Sequence, residues 1–165
     1  MKKRVLILYA PIGMGHPMAA SALTEFFRLR HKDIEVENIN FLQFTHPVFK
    51  KFLPFLYNTL SSKTPSLYNW AYNYYRKDTR QKILYNLAQY FTQSRFLFFI
   101  EKFSPHFIVS THPLALHLIS MTKKKHIIDI PSANVCTDFG FHSLWFNRDT
   151  NFYFVANNAV KEGLK

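Results

Sequence analysis

Thr137 and Asp138 close an apolar run that begins at Ser132. A carboxylate at the C-terminal end of a strand can act as general base, taking a proton from a hydroxyl nucleophile. In open parallel sheets that end faces the ligand crevice. An aspartate there can equally cap the following turn, and spacing alone favours the cap. A second group is the loop Gly13-Met14-Gly15-His16. Glycines let the backbone turn sharply and approach a ligand, and the free amides of a helix start attract anions. As a bare pattern, a ligand loop and a tight turn weigh equally. The dinucleotide fingerprint wants a third glycine at position 18, which is Met18, and there is no Lys-Ser/Thr pair for a Walker-type loop. His112, His117 and His142 lie near Cys136, but their spacing matches no strong zinc pattern, so no metal is expected. Cys136 sits inside an apolar strand, where a free cysteine acts as a small core residue.

These residues need a frame. Val5 to Ala10 is a continuous apolar run, the pattern of a strand buried on both faces of a parallel sheet. A helix is expected from about Pro17 to Arg30, with Pro17 at its first position and Ala19, Ala22, Leu23 and Phe26 as its apolar stripe. Ile34 to Ile39 alternates as a second strand, which completes the opening of a βαβ unit. The rhythm resumes with a strand at Phe107 to Thr111, a helix from Pro113 to Lys125 and strands at Ser132 to Thr137 and Phe152 to Ala156. Asn157 begins a last helix that the end of the chain cuts off after Lys165.

Between Phe41 and Phe103 the texture differs: eighteen of the twenty-nine aromatic residues fall there. Val48, Phe49, Phe52, Leu53 and Leu56 follow helical spacing that Pro54 should kink, and a broken helical pattern runs from Ser66 to about Glu101, with Leu84, Leu87, Ala88 and Phe91 on one face. Lys50, Lys51, Lys63, Arg76, Lys77 and Arg80 face a single acid, Asp78, up to position 80. Phe, Trp and Tyr beside Lys and Arg on amphipathic helices suit a membrane interface. Phe52, Phe55, Trp70, Tyr74, Lys50, Lys51, Arg76 and Lys77 are the contact candidates. An ordinary aromatic core with a solvated basic face is the competing explanation. Stacking on single-stranded nucleic acid is a third, but no nucleic-acid module pattern is present, so no nucleic-acid partner is expected.

The whole chain of 165 residues has 48% hydrophobic content and a formal net charge of +11, which fits one globular domain with an anionic partner. A genome that favours Lys, Phe, Tyr and Asn codons would produce a similar excess. One cysteine excludes an internal disulfide framework, as in a reducing cytoplasm. Met1-Lys2-Lys3-Arg4 before an apolar run imitates a signal peptide, but the run is too short and lacks a cleavage site. No stretch reaches the ~18 apolar residues a spanning helix requires.

Four stretches in order resemble the N-terminal domain of the monogalactosyldiacylglycerol synthase family, which includes the bacterial diacylglycerol glucosyltransferases. They are Ala10 to Leu23 (APIGMGHPMAASAL), Ile108 to Pro113 (IVSTHP), Thr137 to Phe146 (TDFGFHSLWF) and Tyr153 to Leu164 (YFVANNAVKEGL). The resemblance implies an α/β, Rossmann-like parallel sheet with flanking helices, the N-terminal half of a GT-B glycosyltransferase. It implies a diacylglycerol acceptor, an anionic membrane beneath this half, a UDP-hexose donor bound by a C-terminal domain, and inversion at the anomeric carbon. No cofactor is implied. The family's base matches Asp138 and its loop histidine matches His16, which positions or polarises the acceptor or works with Asp138. Gly13, Gly15, Thr137 and Trp145 complete the acceptor side.

The same resemblance makes residues 1–165 an acceptor-binding domain with a helical, membrane-facing insertion at about 41–103, and the donor-binding domain absent. Its place would be the cytoplasm, peripheral on the inner face of the cell membrane. Three alternatives stay open: a non-catalytic membrane-binding remnant, a dinucleotide-binding α/β protein, and the half of a peptidoglycan-type transferase.

Overall fold

The computed structural model describes residues 2–48, 50–52, 54–55, 59, 82–140 and 143–164, with backbone alone for 82–91. Nine elements position the site: β1 (Lys3–Tyr9), α1 (Gly15–Arg30), β2 (Ile34–Asn40), α2 (Lys82–Phe103), β3 (Phe107–Ser110), α3 (Pro113–Lys124), β4 (Ser132–Val135), β5 (Phe152–Phe154) and α4 (Asn158–Gly163). The five strands form one parallel sheet in the order β2-β1-β3-β4-β5. This is the expected Rossmann-like α/β arrangement.

The order has a direct consequence for the helices. The chain steps from β1 out to β2, then returns past β1 to β3. Right-handed connections place helices on opposite faces when the direction of travel reverses. Accordingly α1 covers one face, where Ala20 meets Val5, Ile7, Val36 and Val109. On the other face Phe96 and Ile100 of α2, with Ala115, Leu118 and Ile119 of α3, pack on Leu6, Leu8 and Ile108. The period-2 alternation along β1 divides its buried side chains between the two cores. The reversal leaves a crevice at the C-terminal ends of β1 and β3, the place where such sheets bind ligands.

Several expectations need correction. Helix α1 begins at Gly15 and not at Pro17, so Pro17 occupies the third position, where its missing N–H is still no loss because the first-turn amides lack helical partners. Its inward face is Ala20, Leu23, Thr24 and Phe27, while Phe26 is exposed. Paired alanines and paired phenylalanines fit two faces in sequence. Packing chose the one on which Thr24 satisfies its hydroxyl on the Ala20 carbonyl at 2.8 Å. Helix α4 is described as far as Gly163, where the Leu164 N–H returns to the carbonyls of Lys161 and Glu162, and Lys165 lies outside the described residues.

The aromatic middle is in part core. Phe41, Leu42 and Phe44 form a buried 3-10 turn after β2, and Arg95 of α2 donates to the Thr45 carbonyl at 3.2 Å. Phe96 is wholly buried against Phe44, with ring centroids 5.6 Å apart. The end of the expected insertion is therefore the crossover helix of the α/β domain itself. Residues 61–81, which include Trp70, Tyr74, Arg76 and Lys77, lie outside the described residues, as do the side chains of Leu84, Leu87, Ala88 and Phe91.

Only one of the two loop glycines is required by conformation. Gly13 has φ 75°, a left-handed geometry that costs an L-residue about 1–2 kcal/mol. A Cβ on Gly15 would meet Thr137 Cβ at 3.9 Å, an ordinary contact. We expect Gly13→Ala to lower unfolding free energy by about 1–2 kcal/mol, with Gly15→Ala well below that in the same denaturant titration. Equal effects would show that the loop is not held by the Gly13 backbone.

Candidate functional site

His16 is the second residue of α1, immediately past the C-terminal end of β1. Its Nδ1 lies 2.5 Å from the Thr111 carbonyl. A carbonyl can only accept, so Nδ1 carries the proton, and Thr137 Oγ1, 2.8 Å from the same nitrogen, accepts as well. Thr111 returns the contact, its hydroxyl donating to the His16 carbonyl at 3.1 Å. The neutral ring is thereby fixed in one tautomer, with Nε2 left as a lone-pair acceptor.

Burial holds His16 below the ordinary imidazole value, more strongly than the Thr111 carbonyl and the Asp138 charge push it back. A neutral imidazole with an unprotonated Nε2 is a competent proton acceptor at neutral pH. Asp138 follows β4 by three positions and is half-buried. Its Oδ2 accepts from the Trp145 indole N–H at 2.8 Å. Trp145 is itself wholly buried, with its ring centroid 5.9 Å from that of His16. It touches the site as an anchor for the carboxylate and as a wall beside the imidazole. A buried indole needs a partner for its N–H, and Asp138 supplies it.

Sequence reasoning missed the part played by Thr111 and His112. His112 is buried at the end of β3, its ring T-shaped against His16 with centroids 4.5 Å apart and stacked on Phe41 at 6.1 Å. Its Nδ1 accepts the Leu114 N–H at 3.1 Å, capping α3. A nitrogen so engaged is not offering itself as a zinc ligand, and His142 lies outside the described residues. The signal was available: the strand-end criterion that singled out Asp138 applies equally to Ser-Thr-His-Pro after β3. Cys136 is buried, with its thiol pushed up to about 11 mainly by burial, as a core residue should be.

Thus the structure brings His16, Thr137, Asp138 and Trp145 together, with Gly15 beside Thr137 and Gly13 making the turn. Lys50, Lys51, Phe52 and Phe55 are exposed and apart from this cluster in the chain. A polar cavity of about 420 Å³ opens at the opposite end of the sheet, lined by Lys123, Arg148 and Asn151 among others. It shares no residue with the cluster and takes no part in its chemistry.

Burial holds His112 well below the ordinary imidazole value, and the neighbouring His16 adds to the effect. The native state therefore binds fewer protons than the unfolded chain once pH falls below 6.5. Stability is complete above that pH and is lost as pH drops toward the native value, at up to about 1.4 kcal/mol per unit for one histidine. Asparagine retains a cap acceptor without titrating. We expect His112→Asn to flatten the acid limb of unfolding free energy measured from pH 7 to 5. An unchanged acid limb would locate the sensitivity elsewhere.

Comparison with known proteins bears on what this cluster serves. The family model described as "Monogalactosyldiacylglycerol (MGDG) synthase" matches residues 16–165. Similar proteins include those named "Processive diacylglycerol beta-glucosyltransferase" from Bacillus thuringiensis (strain Al Hakam), Bacillus cereus (strain AH187) and Bacillus anthracis (strain CDC 684 / NRRL 3495). Each is 32% identical over 160 residues, which cover 96% of this chain and 40% of the relative. The chain thus spans 40% of the length of the curated relatives it matches. By its sequence, its parallel α/β sheet and the cluster at the ends of β1, β3 and β4, this chain belongs to the monogalactosyldiacylglycerol synthase family.

Proposed function

We propose that this chain is the acceptor-side domain of a UDP-hexose-dependent diacylglycerol glycosyltransferase, working at an anionic membrane with a donor-binding domain supplied in cis or in trans. One observation carries the reading. A proton-accepting pair, His16 and Asp138, stands in the crevice of a parallel sheet with both members held by hydrogen bonds to buried or part-buried partners. Family membership supplies the acceptor class: the relatives' name specifies diacylglycerol.

The chemistry is an inverting displacement. The glycerol hydroxyl loses its proton, its oxygen forms a bond to the anomeric carbon, and the bond from that carbon to UDP breaks on the opposite face. Asp138 takes the proton, through the carboxylate oxygen that Trp145 does not engage, and Thr137 and His16 shape the acceptor pocket beside it. The unprotonated Nε2 of His16, given no hydrogen bond among the described residues, favours a second assignment, in which the imidazole takes the proton and the Asp138 charge stabilises the imidazolium. In both, the fixed ring and the anchored carboxylate need no reorganisation when the hydroxyl arrives. Metal ions and cofactors have no part in this scheme. Among the described residues no helix is long and apolar enough to cross a membrane, and the membrane contact proposed is peripheral.

The test is transfer from radiolabelled UDP-hexose to diacylglycerol in liposomes, with a donor-binding domain from the family supplied. We expect Asp138→Asn to lower the rate by a factor of about 10²–10⁴, the range for loss of a general base. His16→Gln falls by less if Asp138 is the base and by as much or more if His16 is. No glycolipid product from the assembled pair, or full activity in both variants, would defeat the proposal.

A further inference from the structure

Three consecutive residues carry the proposed base and its flanks, and each is held from a different direction. Thr137 Oγ1 bonds to His16 at the start of α1, and Asp138 Oδ2 to the Trp145 indole. The Phe139 carbonyl accepts from Asn157 Nδ2 at 2.9 Å. This third bond comes from the corner between β5 and α4, 18 positions along the chain. It has no substitute nearby. The Phe139 side chain is 81% exposed, and a Cβ on Gly140 would meet nothing within 4 Å, so neither residue is held by side-chain packing. Among the described residues, the bond to Asn157 is the one hydrogen bond that holds Phe139 or Gly140.

Asn157 is also the N-cap of α4: its Oδ1 accepts the Val160 N–H at 2.9 Å. A backbone N–H can only donate and a carbonyl can only accept, so the two partners fix which end of the amide faces which. Serine, threonine and aspartate also fill an N-cap well. None of them carries an amide nitrogen on a second arm, so asparagine is more than the cap requires. A second hold runs through α4 itself. Its one buried side chain, Val160, packs with Trp145 and Cys136, and Trp145 anchors Asp138. Asn157 thus restrains the carboxylate twice, through the backbone that follows it and through the helix that seats its indole partner.

We propose that Asn157 is a positioning residue for Asp138: one arm of its amide clamps the loop on which the carboxylate stands while the other holds α4. This role rests on the acceptor reading for the reaction it serves, and on the geometry alone for the clamp. A carboxylate with one oxygen engaged and its following peptide fixed keeps the second oxygen in one place. The incoming hydroxyl then finds its proton acceptor already oriented. The clamp is one neutral hydrogen bond, worth about threefold to tenfold in rate.

Asn157→Asp separates the two tasks, because it keeps a cap oxygen and puts an oxygen in place of the donor to Phe139. Asn158→Asp, one position on and exposed, adds the same charge as a control. Transfer is measured with the assembled pair, diacylglycerol liposomes and radiolabelled UDP-hexose. Asn157→Asp should lower kcat about threefold to tenfold with KM for diacylglycerol changed less than about twofold, and Asn158→Asp should leave both unchanged. In an Asp138→Asn background Asn157→Asp should cost less than about twofold, because the clamp acts through that carboxylate. Equal losses in both backgrounds would make Asn157 merely structural and overturn the proposal. A second readout needs no turnover. In a Trp70→Phe background Trp145 is the remaining tryptophan. Exchange of its indole N–H with solvent should quicken about threefold to tenfold in Asn157→Asp while the amides of β1 keep their rates. Unchanged indole exchange, or quickening shared by β1, overturns the clamp. Should Asn157→Asp not fold, Asn157→Ser, which caps but stops short of Phe139, takes its place. No glycolipid from the unaltered pair would sink the acceptor reading, and the indole exchange would still decide the clamp.

Discussion

The reciprocal pair of hydrogen bonds between His16 and Thr111 joins the start of α1 to the end of β3. Thr111 donates its hydroxyl to the His16 carbonyl, and the His16 ring donates Nδ1–H to the Thr111 carbonyl. The two residues are 95 positions apart, and they meet because β1 and β3 are neighbours in the sheet. Much else depends on that adjacency. It closes the crevice where the strand order reverses, sets the tautomer of His16, and brings Thr137 from the next strand to the same nitrogen.

A second layer supports the first. Asp138 cannot swing freely because the buried Trp145 indole holds one of its oxygens. His16 is walled by His112, itself fixed by capping α3 and by stacking on Phe41. The polar groups are therefore oriented by residues whose own positions are set by burial, a requirement for groups that must meet a reacting atom within a few tenths of an ångström. The same burial keeps both imidazoles neutral, the state in which a histidine can accept a proton.

A net charge of +11 first suggested a basic surface drawn to anionic lipid. Among the described residues, Arg28, Arg30, Lys102, Lys123 and Lys124 instead lie in last helical turns, where the macrodipole favours them.

The sheet was legible in the amino-acid order because buried parallel strands are apolar on both faces, and the short apolar runs at Val5 to Ala10 and Phe107 to Thr111 alternate with helical patterns. Pro17, Pro113 and Asn157 placed the starts of α1, α3 and α4 within two residues. Which face of α1 turned inward was not legible: Ala19, Ala20 and Ala22 beside Phe26 and Phe27 allow two stripes, and only contact with β1 and β2 selects one. Residue type and position made Asp138 and His16 candidates and the family resemblance raised them, but their states were not legible. Those states depend on Thr111 and Thr137, which reach His16 from other strand ends across 95 and 121 positions, and on Trp145, which holds Asp138. Local spacing determines what a segment can form. The tautomer and the meeting of His16, Thr111 and Thr137 were decided by the strand order, because only it sets which distant segments share a crevice.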